Sequence, residues 1–237
     1  MNPQDPTTHT SRPIVTGTTV LGLRYKGGVM LASDTLASYG SMARYKDMRR
    51  LAKIGEDCLI AASGEVSDFQ KVKHMLEDVY KEDINHDDGY IRSPKEILNY
   101  LRAMLYQRRN KGNPLWNQLL VAGFNKEANT PFLGYVDLIG TMYEEDYICT
   151  GFGMHLALPL IREKWNPEME EAEARALLED CLKVLYYRDC KASYRIQIAK
   201  ATVDETIVSE PYELQTEWTT ATYDTRHPHN GSDGSSW

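Results

Sequence analysis

Cysteine is scarce in this chain, and long apolar runs and any excess of basic charge are missing. The four cysteines, Cys58, Cys149, Cys181 and Cys190, form no CxxC and sit within apolar or helical stretches. That excludes a disulfide framework and a thiolate zinc site and leaves reduced structural thiols. No run approaches the about 18 apolar residues that span a bilayer. Met1 to Arg12 is polar, rich in Thr and Pro, and without the apolar core of a secretion signal. The Asn230-Gly231-Ser232 sequon is therefore read as unused, and the cytoplasm and nucleus are the expected compartments. Asp plus Glu exceed Lys plus Arg by 34 to 27, which argues against nucleic acid or a membrane surface as partner. Arg49-Arg50 and Arg108-Arg109 with Lys111 are short clusters that read as solvated or interface charges. The six histidines show no metal-ligand spacing. Gly151-Phe152-Gly153 lacks the third glycine of a dinucleotide loop, since Leu156 stands in its place. Glu82 to Gly89 alternates acidic residues but has its glycine one place late and Pro94 where a calcium loop needs a bidentate Glu, and it reads as a solvated loop. No cofactor or metal is expected.

What is present is an ordinary globular composition, 42% hydrophobic and 26% charged over 237 residues, the upper end of what one core organises. Thr18 to Tyr25, Gly28 to Ser33 and Cys58 to Ser63 read as strands, the first two joined at Gly27-Gly28. Val66, Phe69, Val72, Leu76 and Val79 then recur at helical spacing. Ser93-Pro94-Lys95-Glu96 is a capping box that opens a second helix through Ile97, Leu98, Leu101 and Leu105. Strands resume at Leu115 to Gly123, Pro131 to Asp137 and Gly140 to Tyr143. Two more helical stripes follow, Leu156, Leu160, Ile161 and then Leu177 to Leu185, and Ile196 to Val203 and Ile207 to Ser209 close the fold as strands. Helices arriving in pairs argue against a doubly wound parallel sheet. The pattern fits an α+β fold, a four-layer αββα sandwich of two antiparallel sheets with outer helix pairs. From Thr219 the chain turns polar and reads as a tail.

Gly17-Thr18-Thr19 opens the first strand, and Asp34 closes the second, sixteen residues on. A threonine hydroxyl is a poor nucleophile unless a base takes its proton, and one economical base is the threonine's own free α-amine. Seventeen residues still precede Thr18. These stretches, with Gly28 to Asp34, Ala62-Ser63-Gly64, Thr150-Gly151-Phe152-Gly153 and Tyr186-Tyr187-Arg188-Asp189, resemble the N-terminal-nucleophile hydrolases, and within them the β-type subunits of the 20S proteasome core. The resemblance runs from about Pro13 to Trp218. Tyr39-Gly40-Ser41, Tyr106-Gln107-Arg108-Arg109 and Asn113 to Asn117 look closer still to a non-catalytic member.

In active members, the resemblance implies, the chain is cut between the residues matching Gly17 and Thr18, and an aspartate at Asp34 and a lysine at Arg50 complete the centre. Arginine cannot replace that lysine, because its guanidinium stays protonated at any physiological pH. Serines are expected where this chain has Phe152 and Ala192, the latter three residues after the aspartate matching Asp189, and neither side chain can relay a proton. Thr18, Asp34, Arg50, Phe152, Asp189 and Ala192 are thus read as vestigial positions, Thr18 as an ordinary strand threonine, and Asp34 and Asp189 as making local hydrogen bonds. The expected role is a non-catalytic structural subunit of the β ring in ubiquitin-dependent protein degradation. The alternatives are an active threonine endopeptidase with Thr18 as nucleophile and a free-standing binding module. Implied partners are other β-type subunits of the same and the opposite ring and α-type subunits of the adjacent ring. Residues 1–9 are expected to be removed before Thr10, residues 10–218 to form the domain, and 219–237 to be an arm or tail.

Overall fold

The computed structural model describes residues 12–125 and 129–218. The expected propeptide, the Thr10 terminus and the C-terminal arm all lie outside them. Along the chain come β1 (Val15–Gly17), β2 (Val20–Tyr25), β3 (Gly28–Asp34), β4 (Ala37–Tyr39), β5 (Met42–Tyr45), β6 (Leu51–Ile54) and β7 (Cys58–Glu65). Helices α1 (Val66–His86) and α2 (Pro94–Asn110) follow, then β8 (Asn117–Asn125), β9 (Thr130–Val136), β10 (Met142–Glu144) and β11 (Tyr147–Cys149). The chain continues through α3 (Gly153–Leu156), α4 (Leu158–Lys164) and α5 (Glu171–Arg188) to β12 (Arg195–Thr202), β13 (Thr206–Val208) and β14 (Tyr212–Glu213).

Alternation along the strands sets the layering. In β2 and β3, Leu21, Leu23, Met30 and Ala32 join one buried cluster while Val20, Val29 and Leu31 join another. A strand buried on both faces must lie between two layers. One sheet has the order β10-β9-β8-β7-β1-β4-β5 with β6 also on β7, the other β11-β2-β3-β12-β13 with β14 on β12. Their pairings are antiparallel. Leu59, Ala61, Leu120 and Ala122 of the first sheet meet Val29, Leu31, Ala199 and Ala201 of the second in the seam between them. Phe69, Leu76, Leu98 and Leu105 of α1 and α2 cover the outside of the first sheet. Leu177, Leu178, Leu182 and Leu185 of α5 cover the second. The result is the four-layer α+β sandwich expected from the paired helices.

Helix α2 starts as its sequence dictates: Pro94 is the first helical residue, the Glu96 N–H donates to Ser93 Oγ at 3.4 Å, and the Ser93 N–H donates back to Glu96 Oε2 at 2.8 Å. Other expectations need correcting. Helix α1 runs on through Glu82 to His86, because Asp83 is buried and pairs with Arg92 instead of standing in a solvated loop. Thr18 belongs to no strand; Thr18 and Thr19 carry the chain from β1 in one sheet to β2 in the other. Cys58, Cys149 and Cys181 are buried, but Cys190 is exposed, two residues past the end of α5.

Candidate functional site

The sequence-singled residues converge where the two sheets meet. Asp34 ends β3 opposite Ile196 of β12. Arg50 immediately precedes β6, fixed to β7 by the Ala62 N–H donating to its carbonyl at 3.1 Å. The two side chains therefore come from different sheets and form an ion pair across the seam, between Arg50 Nη2 and Asp34 Oδ1, at 2% and 3% exposure. The guanidinium also donates to the Asp34 carbonyl at 3.1 Å and to the Ala62 carbonyl at 3.2 Å. Asp34 Oδ2 accepts the Ser193 N–H at 2.9 Å. Burial pushes the Asp34 carboxyl upward, and the Arg50 charge and the N–H groups of Ser193 and Leu36 pull against that shift. Arg50 is thus not the solvated charge its Arg49-Arg50 context suggests, and Asp34 has a charged partner. Arg49 is the exposed one, held by Glu210 at 2.6 and 3.1 Å.

Gly17 is a consequence of this packing. A Cβ built there would stand 2.2 Å from Arg50 Cδ and 2.6 Å from Nε. The arginine stem lies against the bare α-carbon, and only glycine leaves the room. Next to it the Thr18 hydroxyl oxygen is buried and has no hydrogen-bond partner among the described residues. The turn before α3 closes over the same crossing. Thr150 Oγ1 accepts the Val20 N–H at 2.9 Å, and Thr19 Oγ1 accepts the Gly153 N–H at 3.0 Å.

The remaining expected positions border this crossing without entering the ion pair: Phe152 stands between Gly151 and Gly153, which abut Thr18 and Thr19, and Ala192 precedes Ser193. Phe152 is 57% exposed, edge-on to the His155 ring at 6.4 Å. Asp189 caps the C-terminal end of α5 and accepts the Lys191 N–H on Oδ1 at 2.9 Å, while its Oδ2 has no partner among the described residues. Ala192 packs on the cluster beneath α5. Cys149 is buried, and burial pushes its thiol above the ordinary range.

Sequence reasoning missed what holds the segment before Thr18. Strand β1 is inserted between β4 and β7, with Thr16 opposite both Ser38 and Glu65. The buried Glu65 carboxylate accepts the N–H groups of Ile14 and Val15, the latter at 3.1 Å, and the Ser67 hydroxyl at 3.0 Å. Asn117 Nδ2 fixes the Glu65 carbonyl at 2.8 Å. A glutamate before a helix carries no mark of such a role, so no local signal could have found it. Chemically the site offers a guanidinium, a group that does not serve as a proton-accepting base, and a carboxylate committed to it.

Compared with known proteins, residues 14–201 match the family model described as proteasome subunit. The chain is 44% identical over 223 residues to proteasome subunit beta type-4 of Arabidopsis thaliana, covering 94% of this chain and 89% of that protein. It is 48% identical over 206 residues to proteasome subunit beta type-4 of Dictyostelium discoideum, covering 86% and 79%. To proteasome subunit beta type-7 of Saccharomyces cerevisiae it is 37% identical over 203 residues, covering 82% and 76%.

Proposed function

We propose, from the premise that this chain belongs to the proteasome subunit family, that it is a non-catalytic β-type subunit which helps to build the proteolytic core and cleaves no peptide itself. The observation that carries the reading is the Arg50–Asp34 pair. A threonine hydroxyl needs a group that takes its proton, and the position from which a lysine would tune it holds a buried guanidinium locked on Asp34 and two carbonyls. The seating of β1 supports the same reading, because cleavage before Thr18 would free a strand that is paired on both sides. The chain then acts by shape: it assembles with other proteasome subunits into a hetero-oligomer whose active members supply the threonine peptidase chemistry. Its neighbours are β-type subunits of its own and the opposite ring and α-type subunits of the adjacent ring. Its setting is the cytoplasm and nucleus, and its task is to enclose the chamber that degrades ubiquitin-tagged proteins. An active neighbour removes residues 1–9, and residues 219–237 serve as an arm toward the opposite ring.

The test is the intact mass of the chain taken from purified assemblies, together with a covalent threonine-directed probe. The expected chain begins at Thr10, co-purifies with other subunits and stays unlabelled. A chain that begins at Thr18 and carries the probe there overturns the reading.

A further inference from the structure

The β4–β5 hairpin stands apart from the rest of the surface. Every residue from Tyr39 to Asp47 is exposed, and Tyr39, Met42 and Tyr45 expose 54%, 56% and 41% of their surface. Among the described residues strand β5 ends its sheet and pairs with β4 alone, so one row of its backbone N–H and C=O groups faces no described strand. A free edge carrying large apolar side chains is a template for another chain, and an isolated subunit would bear it only as a liability.

Charge narrows the occupant. Arg49 and Asp47 are satisfied by Glu210 and Arg195, but among the described residues Arg44 and Lys46 have no acidic partner. The Arg44 guanidinium lies 5.5 Å from the Tyr45 ring centre, so the cation and the aromatic form one contact surface of the kind enriched at interface centres. These two cations flank an apolar edge on a chain of net charge −7. A second copy would bring the same cations against themselves and repel. Two cations are too few to track a phosphate backbone.

We propose that this hairpin is a strand-addition site for an extended, acidic segment of a different subunit in the assembly. The proposal rests on the assembly role above. It adds a link between assembly and the site: β4 lies between β5 and β1, so a partner seated on β5 rigidifies the same strand that holds the segment before Thr18.

The experiment places the photo-crosslinker benzoylphenylalanine at Met42 of a tagged full-length chain expressed in cells, purifies the assembly, irradiates it and maps the linked peptide. The expected product joins Met42 to a net-negative, extended segment of another subunit. The exposed double variant Arg44→Glu with Lys46→Glu should be incorporated about tenfold less than the tagged parent in competition, with its thermal midpoint unchanged. The proposal is overturned by crosslinks confined to this chain or to a second copy, by linkage to a basic or helical segment, by no crosslink in an assembly that contains the chain, or by parental incorporation of the double variant. If no other subunit co-purifies, the assembly role itself fails, and this proposal with it.

Discussion

A methyl group placed on Gly17 would arrive where the Arg50 side chain already lies. The new Cβ falls 2.2, 2.6 and 2.9 Å from Arg50 Cδ, Nε and Cζ, all in the middle of a side chain pinned by Asp34 and by the Ala62 carbonyl. Backbone strain adds nothing, because Gly17 is outside the left-handed region. Either the guanidinium leaves its acceptors, which for a buried pair broken on one side costs about 3–5 kcal/mol, or the sheets shift to admit the methyl, at about 1–3 kcal/mol. The lower conformational entropy of an unfolded alanine offsets about 0.4–1 kcal/mol. A net loss of about 3 kcal/mol is expected for Gly17→Ala, which for a chain of this size lowers Tm by about 6–12 °C. Thermal unfolding of the purified full-length chain reads it. A double-mutant cycle supplies the decisive comparison: in an Arg50→Ala background the same glycine substitution should cost less than about 0.5 kcal/mol, since the clash has gone. An equal loss in both backgrounds would show that Gly17 is kept for another reason and would refute the contact argument.

On the proposed non-catalytic reading, Arg50→Lys should confer no activity: the ammonium keeps at most part of the three-acceptor grip and the Thr18 nitrogen stays in a peptide bond, so mass and probe labelling remain those of the parent. Glu65→Ala leaves the Ile14 and Val15 N–H groups without their carboxylate, at about 1–3 kcal/mol, and limited proteolysis should cut ahead of Thr18 several times faster; unchanged cutting would remove Glu65 from its assigned role. A maleimide should modify Cys190 alone in the native chain and all four cysteines in denaturant. Burial raises the Cys58 and Cys181 thiols from 9.0 to about 12, so from about pH 9 upward the unfolded chain releases protons that the folded chain retains. Stability should therefore fall with rising pH between 9 and 12, and a flat denaturation midpoint over that window would contradict the buried thiols.

The long elements were legible because their apolar spacing is their burial. Phe69, Val72 and Leu76 face the sheet, and Leu59 and Ala61 alternate with Ile60 and Ala62 between its two faces. Several short strands were not, although the stretches read at Gly140 to Tyr143 and Ile207 to Ser209 overlap β10 and β13. β1, β4 and β11 have three residues each, too few to alternate, and all of β5 is exposed, so no hydrophobic signal marks it. Thr18 reads as a strand residue from its β-branching and its apolar neighbours. It lies in the crossing because β1 and β2 join different sheets, which no local pattern encodes. Asp34 and Arg50 could be picked out as positions, but their pairing depends on the seam, and seen beside Arg49 alone Arg50 looks exposed. Glu65 leaves no trace in sequence because the backbone amides it holds lie fifty residues away.

The placement of β1 also dictates an order of events during synthesis. The first strand among the described residues pairs with Ser38 and Tyr39 on one side and Gly64 and Glu65 on the other, so its seat is complete only when some fifty further residues have emerged and β7 has formed. Contacts that close long loops form late. β1 is thus held on one side only until β7 has been made, and until then the peptide bond before Thr18 lies on an open-sided segment of nascent chain. Any enzyme that is to reach that bond has its opportunity in this interval, before the sheet closes around it.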